Sequence, residues 1–187
     1  MFFRLKPNFE NINLSDWPEK LLLVGLKEEQ QLEVYSKVGT TFQLLKSYPF
    51  TANSGTLGPK LQEGDRQIPE GIYKVQFLHP NSQFYLSMRV NYPNEFDKSK
   101  SKFEKESDMG GDIFIHGKAM TIGCIPIGDE GIEELFMLVK HALKNEVKVI
   151  ISPRDFRINP AFPKIESVDW EEELYQNIAT ELSMIPK

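Results

Sequence analysis

At 187 residues, 40% apolar and 26% charged, the chain has the composition of an ordinary globular protein, long enough to bury roughly 70% of its unfolded surface, and disorder is excluded. A net charge of −5, with no Lys/Arg run interleaved with aromatic residues, excludes nucleic acid as the main partner. The longest apolar run, Leu21 to Leu26, is too short for a transmembrane segment, and the opening M-F-F-R-L-K-P-N lacks the apolar stretch of a signal peptide.

The chain divides into a polar lead-in over 1–18, a main domain over 19–152, and a linker with a helix over 153–187. The lead-in holds scattered aromatics and two prolines and is expected to pack loosely or to clasp the domain. Leu21 to Leu26, Gln31 to Val38 and Thr41 to Phe50 are apolar or β-branched runs separated by short turns, which predicts a meander of three strands. Thr51 to Pro69 is a loop punctuated by glycine and proline, too long for a simple connection and therefore a candidate carrier of function. Its G-P-K and E-G-D backbones could cradle an anion, but no nucleotide-binding glycine motif occurs.

The run P-E-G-I-Y-K-V enters a strand that closes at Phe77–Leu78, followed by an exposed turn from His79 to Ser82 and a strand from Phe84 to Val90. In the next turn, Asn91 to Asp97, Tyr92 either lines a crevice or packs on the domain face. Asp97 to Asp108 is charged and serine-rich and reads as an exposed flap, without the spacing of a calcium loop. Further on, Asp129 is placed as the N-cap of a helix whose stripe of Ile132, Leu135, Phe136, Val139, Ala142 and Leu143 docks on the sheet. Val147 to Ile151 follows as a buried strand, then Arg154 and Arg157, either of which could bind a carboxylate or lie on the surface. Asp169 and Glu172 predict a capping box for a terminal helix with Trp170, Leu174, Ile178 and Leu182 on one face.

The chemistry concentrates between Asp112 and Asp129, D-I-F-I-H-G-K-A-M-T-I-G-C-I-P-I-G-D, which holds the sole cysteine, Cys124, and one of three histidines, His116. An imidazole within reach of a thiol can take its proton and return it to a leaving group. The apolar run Ile113 to Ile115 delivers His116 and Gly117 at its end. Gly123 lets backbone approach the thiol, and the amides of Gly123 and Cys124 are candidate donors to an oxyanion. The plain alternative is a small buried cysteine and a satisfied histidine. No H-x-x-x-H spacing or second cysteine points to a metal, and a thiol–imidazole pair needs no cofactor. One cysteine closes no disulfide within the chain, and the sequence sets no oligomeric state.

His116-Gly117, a short spacer and Thr121-Ile122-Gly123-Cys124-Ile125 resemble the signature of the L,D-transpeptidase catalytic domain family, YkuD-like enzymes of bacterial cell-wall metabolism. The stretches Ser54 to Val75 and Asn81 to Asp97 look most like its YafK-type subgroup, and the matching blocks together span about Leu21 to Ile151. The resemblance implies an α+β, mainly β fold: a β-sandwich with a helix after the cysteine and a C-terminal helix. It implies Cys124 as nucleophile and His116 as base and then acid, oriented by a backbone carbonyl, with Gly117, Thr121 and Gly123 around them. Peptidoglycan stem peptides are the implied substrate, through a thioester that an amine or water resolves, in the periplasm or cell envelope and with a bearing on cell shape. The YafK-type likeness favours the hydrolytic branch, including release of a peptidoglycan-linked protein. Many members carry an arginine two residues after the cysteine, where this chain has Pro126; Tyr92, Lys118 and Arg154 are therefore candidate substrate contacts. A nucleophilic Cys124 is expected to alkylate with a pH midpoint below the ordinary thiol value of about 8.5. The second reading is a non-catalytic envelope-binding module that retains the fold.

Overall fold

An apolar run without alternation forms a strand only where both faces of its sheet are covered, and Leu21–Leu26 is such a strand, β1, buried at all six positions. In the computed structural model, which describes residues 2–186, the other strands are β2 (Gln31–Val38), β3 (Thr41–Pro49), β4 (Gly71–Ser82), β5 (Tyr85–Val90), β6 (Phe114–His116), β7 (Ile125–Pro126) and β8 (Lys148–Ser152). The helices are α1 (Phe2–Asn11), α2 (Glu95–Lys100), α3 (Gly128–Ala142) and α4 (Glu171–Ser183). The strands run β3-β2-β1-β8-β4-β5-β6-β7, with β1–β8 and β6–β7 parallel and the remaining pairs antiparallel.

β4 belongs to both halves of this ladder. It pairs with β8 through Gly71 to Lys74 and with β5 from Val75 onward, with register breaks between Val75 and Phe77 and between His79 and Ser82. Such breaks bend a strand, and the two halves fold face to face. Ile125 on β7 lies against Gly25 on β1, and the Thr51 amide donates to the Pro126 carbonyl at 2.9 Å. Leu21, Leu23, Val149 and Ile151 fill the interior with Ile115, Ile125 and the apolar stripe of α3. Leu22, Val24, Tyr35 and Ile150 face the opposite way, where Leu174, Tyr175, Ile178 and Leu182 of α4 cover them. This is the expected mainly-β sandwich, with one helix after Cys124 and another at the C-terminal side.

Several local expectations need correction. Of the two readings of the lead-in, the structure has the clasp rather than loose packing: α1 buries Leu5 and Phe9 in the main core despite Pro7 inside the helix, and Ile12, one residue past its end, joins them. The i, i+4 pair Leu5 and Phe9 anchors the helix, and Pro7 forfeits one backbone hydrogen bond. His79 lies within β4, opposite Ser87, rather than in a turn. The presumed turn and flap contain α2, opened by a reciprocal cap between Asn94 and Asp97, and a 3-10 turn at Glu106–Met109 whose Asp108 carbonyl accepts from the Glu63 amide. Asp129 does not cap α3; Gly128, at φ +72, lets the helix start earlier, after Ile127. The Asp169–Glu172 box does not form, because the N-cap position falls on Trp170, whose ring packs edge-on against Phe96 at 5.8 Å.

The loop from Thr51 to Pro69 is held from inside. The amides of Leu61, Gln62 and Gln67 do cradle a carboxylate, but it is the chain's own Asp65, which also takes the Lys60 ammonium. Burial alone would raise the Asp65 acid, and these donors outweigh it, so its pKa lies below the ordinary value. Beneath the loop, Lys27 Nζ donates to the carbonyls of Gly58 and Ile68 and to Glu70 Oε1 at 2.9, 3.0 and 2.8 Å. Glu70 in turn accepts from the Gly58 amide at 2.7 Å and from the Tyr175 hydroxyl at 2.8 Å. Removing one partner of such a buried pair strands the other charge, at a cost of about 3–5 kcal/mol. Urea unfolding of Glu70→Ala is expected to show that loss, with the Lys27→Met/Glu70→Leu double variant recovering part of it. A loss below about 1 kcal/mol in the single variant would mean that the pair does not organise the fold.

Candidate active site

Strand register places the thiol and the imidazole. Ile115 of β6 pairs with Ile125 of β7, both fully buried, so their neighbours in sequence face the other way. Cys124, Phe114 and His116 therefore share one face. The Phe114 amide donates to Cys124 Sγ at 3.4 Å, and the thiol donates to the Asp112 carbonyl at 3.5 Å. Among the described residues, no hydrogen bond runs from Cys124 to His116.

His116 is 1% exposed, with its ring tilted against Phe84 at 4.6 Å between centroids. Its Nδ1 stands 2.5 Å from the Gly117 carbonyl. A carbonyl only accepts, so Nδ1 carries the proton and Nε2 keeps its lone pair. Gly117 allows this packing, because a Cβ there would come within 2.7 Å of Asp129 Oδ1 and 2.9 Å of the Phe84 carbonyl. Gly117→Ala is expected to cost about 1–3 kcal/mol through overpacking and to displace the imidazole, measurable as a changed His116 titration by NMR.

The turn carrying the thiol is clamped by Thr121. Its hydroxyl donates to the Cys124 carbonyl at 2.7 Å and accepts from the amides of Cys124 and Gly123 at 2.8 and 3.3 Å. The two amides expected to face an oxyanion are thus engaged at rest. Gly123 has φ +122, and a Cβ there would meet the Gln67 carbonyl at 3.0 Å, so the long loop abuts the cysteine turn.

Burial pushes the Cys124 thiol above its ordinary pKa and Asp112 adds to this, against the Phe114 amide and the Lys60 charge; burial holds the His116 imidazole below its own. The resting pair is therefore neutral thiol and neutral imidazole, not thiolate and imidazolium. Burial, outweighing the Phe114 amide and the Lys60 charge, thus works against the acidified thiol that the residue pattern suggests.

The remaining candidates do not converge on the thiol. Tyr92 is 2% exposed and its hydroxyl donates toward the Lys60 and Met109 carbonyls, so most of the ring packs, while its open edge lines a cleft with Arg89 and Asp112. Lys118 ties its loop to neighbouring elements: its ammonium donates to the Gln83 carbonyl in the β4–β5 turn at 2.6 Å and its amide to Asp129 Oδ1 of α3 at 2.8 Å. Arg154, beyond β8 in the other half of the ladder, pairs with Glu28 at 3.1 Å. Arg157 is enclosed by Asp155, Glu33 and Tyr35. Sequence reading missed Arg89 of β5, the register partner of Phe114, and Asp112, which touches both Arg89 and the thiol. Only strand pairing reveals them. Among the described residues, no group of three or more His, Cys, Asp or Glu is placed to hold a metal ion.

Residues 19–151 match the YkuD family, the L,D-transpeptidase catalytic domain, and the chain belongs to that family. It is 39% identical over 140 residues to the Escherichia coli K12 protein named "Putative L,D-transpeptidase YafK", covering 72% of this chain and 54% of that protein. The chain thus spans about half the length of the curated relative. The structure is similar to the helical cell shape determining protein Pgp2 of Campylobacter jejuni, with TM-score 0.59 and 17% identity over 98% of this chain and 78% of that one. Bd1075 of Bdellovibrio bacteriovorus gives TM-score 0.54 and 21% identity over 89% of this chain and 56% of the other. At these identities the likeness is one of fold.

A thiol raised by burial alkylates slowly at neutral pH and faster as pH rises. Iodoacetamide labelling of Cys124 is expected to show a midpoint above about 8.5. A midpoint near 6 would mean that a thiolate–imidazolium pair forms in solution.

Proposed function

We propose that the chain is a peptidoglycan-acting cysteine acyl-transfer enzyme of the cell envelope, with Cys124 as nucleophile and His116 as general base and then acid. The observation that carries this reading is the His116 tautomer: the Gly117 carbonyl at 2.5 Å commits Nδ1 as donor and leaves Nε2 free to take the thiol proton. Both groups start neutral, so the proton moves as the bond forms. A turn of the Cys124 side chain away from the Asp112 carbonyl directs the thiol to Nε2, and sulfur attacks the carbonyl ahead of a terminal D-alanine. The C–N bond breaks, and the leaving amine takes the proton held by His116. A thioester remains, which an amine resolves by cross-linking or protein attachment and water by carboxypeptidase or amidase action. The oxyanion draws on the amides of Gly123 and Cys124 once the Thr121 hydroxyl yields them.

The YafK-type sequence blocks favour the hydrolytic branch, including release of a peptidoglycan-linked protein, whereas the curated relative at 39% identity is named for transpeptidation. The exposed side chains of Met120 and Ile122 on the cysteine turn suit a large substrate better than an enclosed metabolite. One observation favours the second reading, a non-catalytic envelope-binding module: the resting thiol is bonded to Asp112 rather than to His116.

Mass spectrometry after incubation with disaccharide-tetrapeptides, with and without an amine acceptor, and with protein-linked peptidoglycan, separates these outcomes. Loss of D-alanine with a cross-linked dimer means transpeptidation, tripeptide alone means carboxypeptidation, and released protein means amidase action. Cys124→Ala and His116→Ala are each expected to lower turnover at least about 1,000-fold, a barrier increase of some 4 kcal/mol, with the fold retained. Turnover surviving in either variant, or no product from the parent chain, removes the enzymatic assignment.

A further inference from the structure

Arg89 is a cation on the thiol's face that neither packing nor pairing fully uses. On β5 it sits opposite Phe114, whose amide holds the Cys124 sulfur. Its guanidinium lies over the Phe77 ring at 6.0 Å, and its Nε is buried without a hydrogen-bond partner. Its Nη2 meets a single carboxylate oxygen, Asp112 Oδ1, at 3.3 Å. A guanidinium edge offers two parallel donors that suit the two oxygens of a carboxylate, so this one-point contact leaves half of the edge unmatched.

Asp112 is a weakly held occupant. Its side chain is 81% exposed, and its backbone lies in the left-handed region at φ +53 without being glycine. The same residue's carbonyl takes the Cys124 thiol at 3.5 Å, so one residue covers the cation and diverts the nucleophile together. Gly111 leaves room beside it, since even a Cβ there would stay 3.7 Å from Arg89 Nη2. A cleft of about 600 Å³ opens at this point, lined by Arg89, Gly111, Asp112, Gln76 and Glu63 among others.

We infer that Arg89 is a carboxylate-binding subsite beside Cys124, occupied at rest by the Asp112 side chain, which a substrate carboxylate displaces. Displacement frees both donors of the Arg89 edge and loosens the Asp112 carbonyl from the thiol, coupling substrate recognition to release of the nucleophile. The inference deepens the acyl-transfer reading of this site, but its test does not require turnover.

Cys124 is the sole cysteine, so labelling reports one site. Rates of Cys124 alkylation by iodoacetate, an anion, and by iodoacetamide, its neutral analogue, are measured at one pH for the parent, Arg89→Gln, Arg89→Lys and Asp112→Asn chains. The iodoacetate-to-iodoacetamide ratio is expected to fall about tenfold in Arg89→Gln, equivalent to about 1.4 kcal/mol. It falls less in Arg89→Lys, which keeps the charge without the fork, and rises several-fold in Asp112→Asn. Using the ratio cancels changes in the thiol itself or in folding. An unchanged ratio in Arg89→Gln, or a lowered one in Asp112→Asn, overturns the subsite. If the ratios behave as expected but no peptidoglycan product forms, the subsite stands and the enzymatic reading fails. If peptides turn over with KM unaltered in Arg89→Gln, the enzymatic reading stands and the subsite fails.

Discussion

The buried ion pair between Lys27 and Glu70 is the constraint on which the site depends. An ammonium and a carboxylate removed from water must find partners for every donor and acceptor, or the desolvation cost is not recovered. Here those partners come from three places: the carbonyls of Gly58 and Ile68 on the two arms of the long loop, the Gly58 amide, and the Tyr175 hydroxyl of α4. Satisfying one pair therefore locks the end of β1, the loop and the C-terminal helix into a single arrangement. The loop so fixed sets its Gln67 carbonyl against Gly123, beside Cys124. Few residues separate the pair from the chemistry, and each link is a close contact.

The face that carries Cys124 and His116 is electrically neutral at rest. Burial raises the thiol and lowers the imidazole, so neither is charged at rest. A neutral pair costs less to bury than an ion pair, and under the proposed acyl transfer its proton would move together with attack. The Thr121 hydroxyl meanwhile keeps the Gly123 and Cys124 amides satisfied, as buried N–H groups require, until an oxyanion offers a better acceptor. The resting site is thus closed on itself at three points: the thiol on Asp112, the amides on Thr121, and the guanidinium on Asp112 again.

Much of this was readable along the chain where the signal is local. The unbroken apolar run of β1 required covering on both faces, and α4 and the sandwich interior supply it. The spacing of His116, Gly117, Thr121, Gly123 and Cys124 pointed to the turn that the register then built. What escaped depends on geometry that residue types do not carry. Pro7 masks the Leu5 and Phe9 pair of α1, because a breaker outweighs two apolar positions until the core they fill is known. The two-residue strand β7 is too short for any periodicity. The sign of the thiol shift followed from burial, whereas spacing suggested only that a histidine was near.

Arg89 is the most instructive of these omissions. By residue type alone, the arginine absent two residues after the cysteine could be replaced by Arg154 or Arg157, because a guanidinium binds carboxylates bidentately. Both are claimed elsewhere, Arg154 by Glu28 and Arg157 by Asp155 and Glu33. At the vacated position, Pro126 closes the ladder: it pairs with His116, and its carbonyl takes the Thr51 amide at 2.9 Å. Proline suits an edge strand because the N–H it lacks would have had no partner there. The proline ring carries no charge, so a cation serving this face comes from elsewhere in the fold. Strand pairing puts β5 beside β6, and at the position opposite Phe114 β5 carries Arg89.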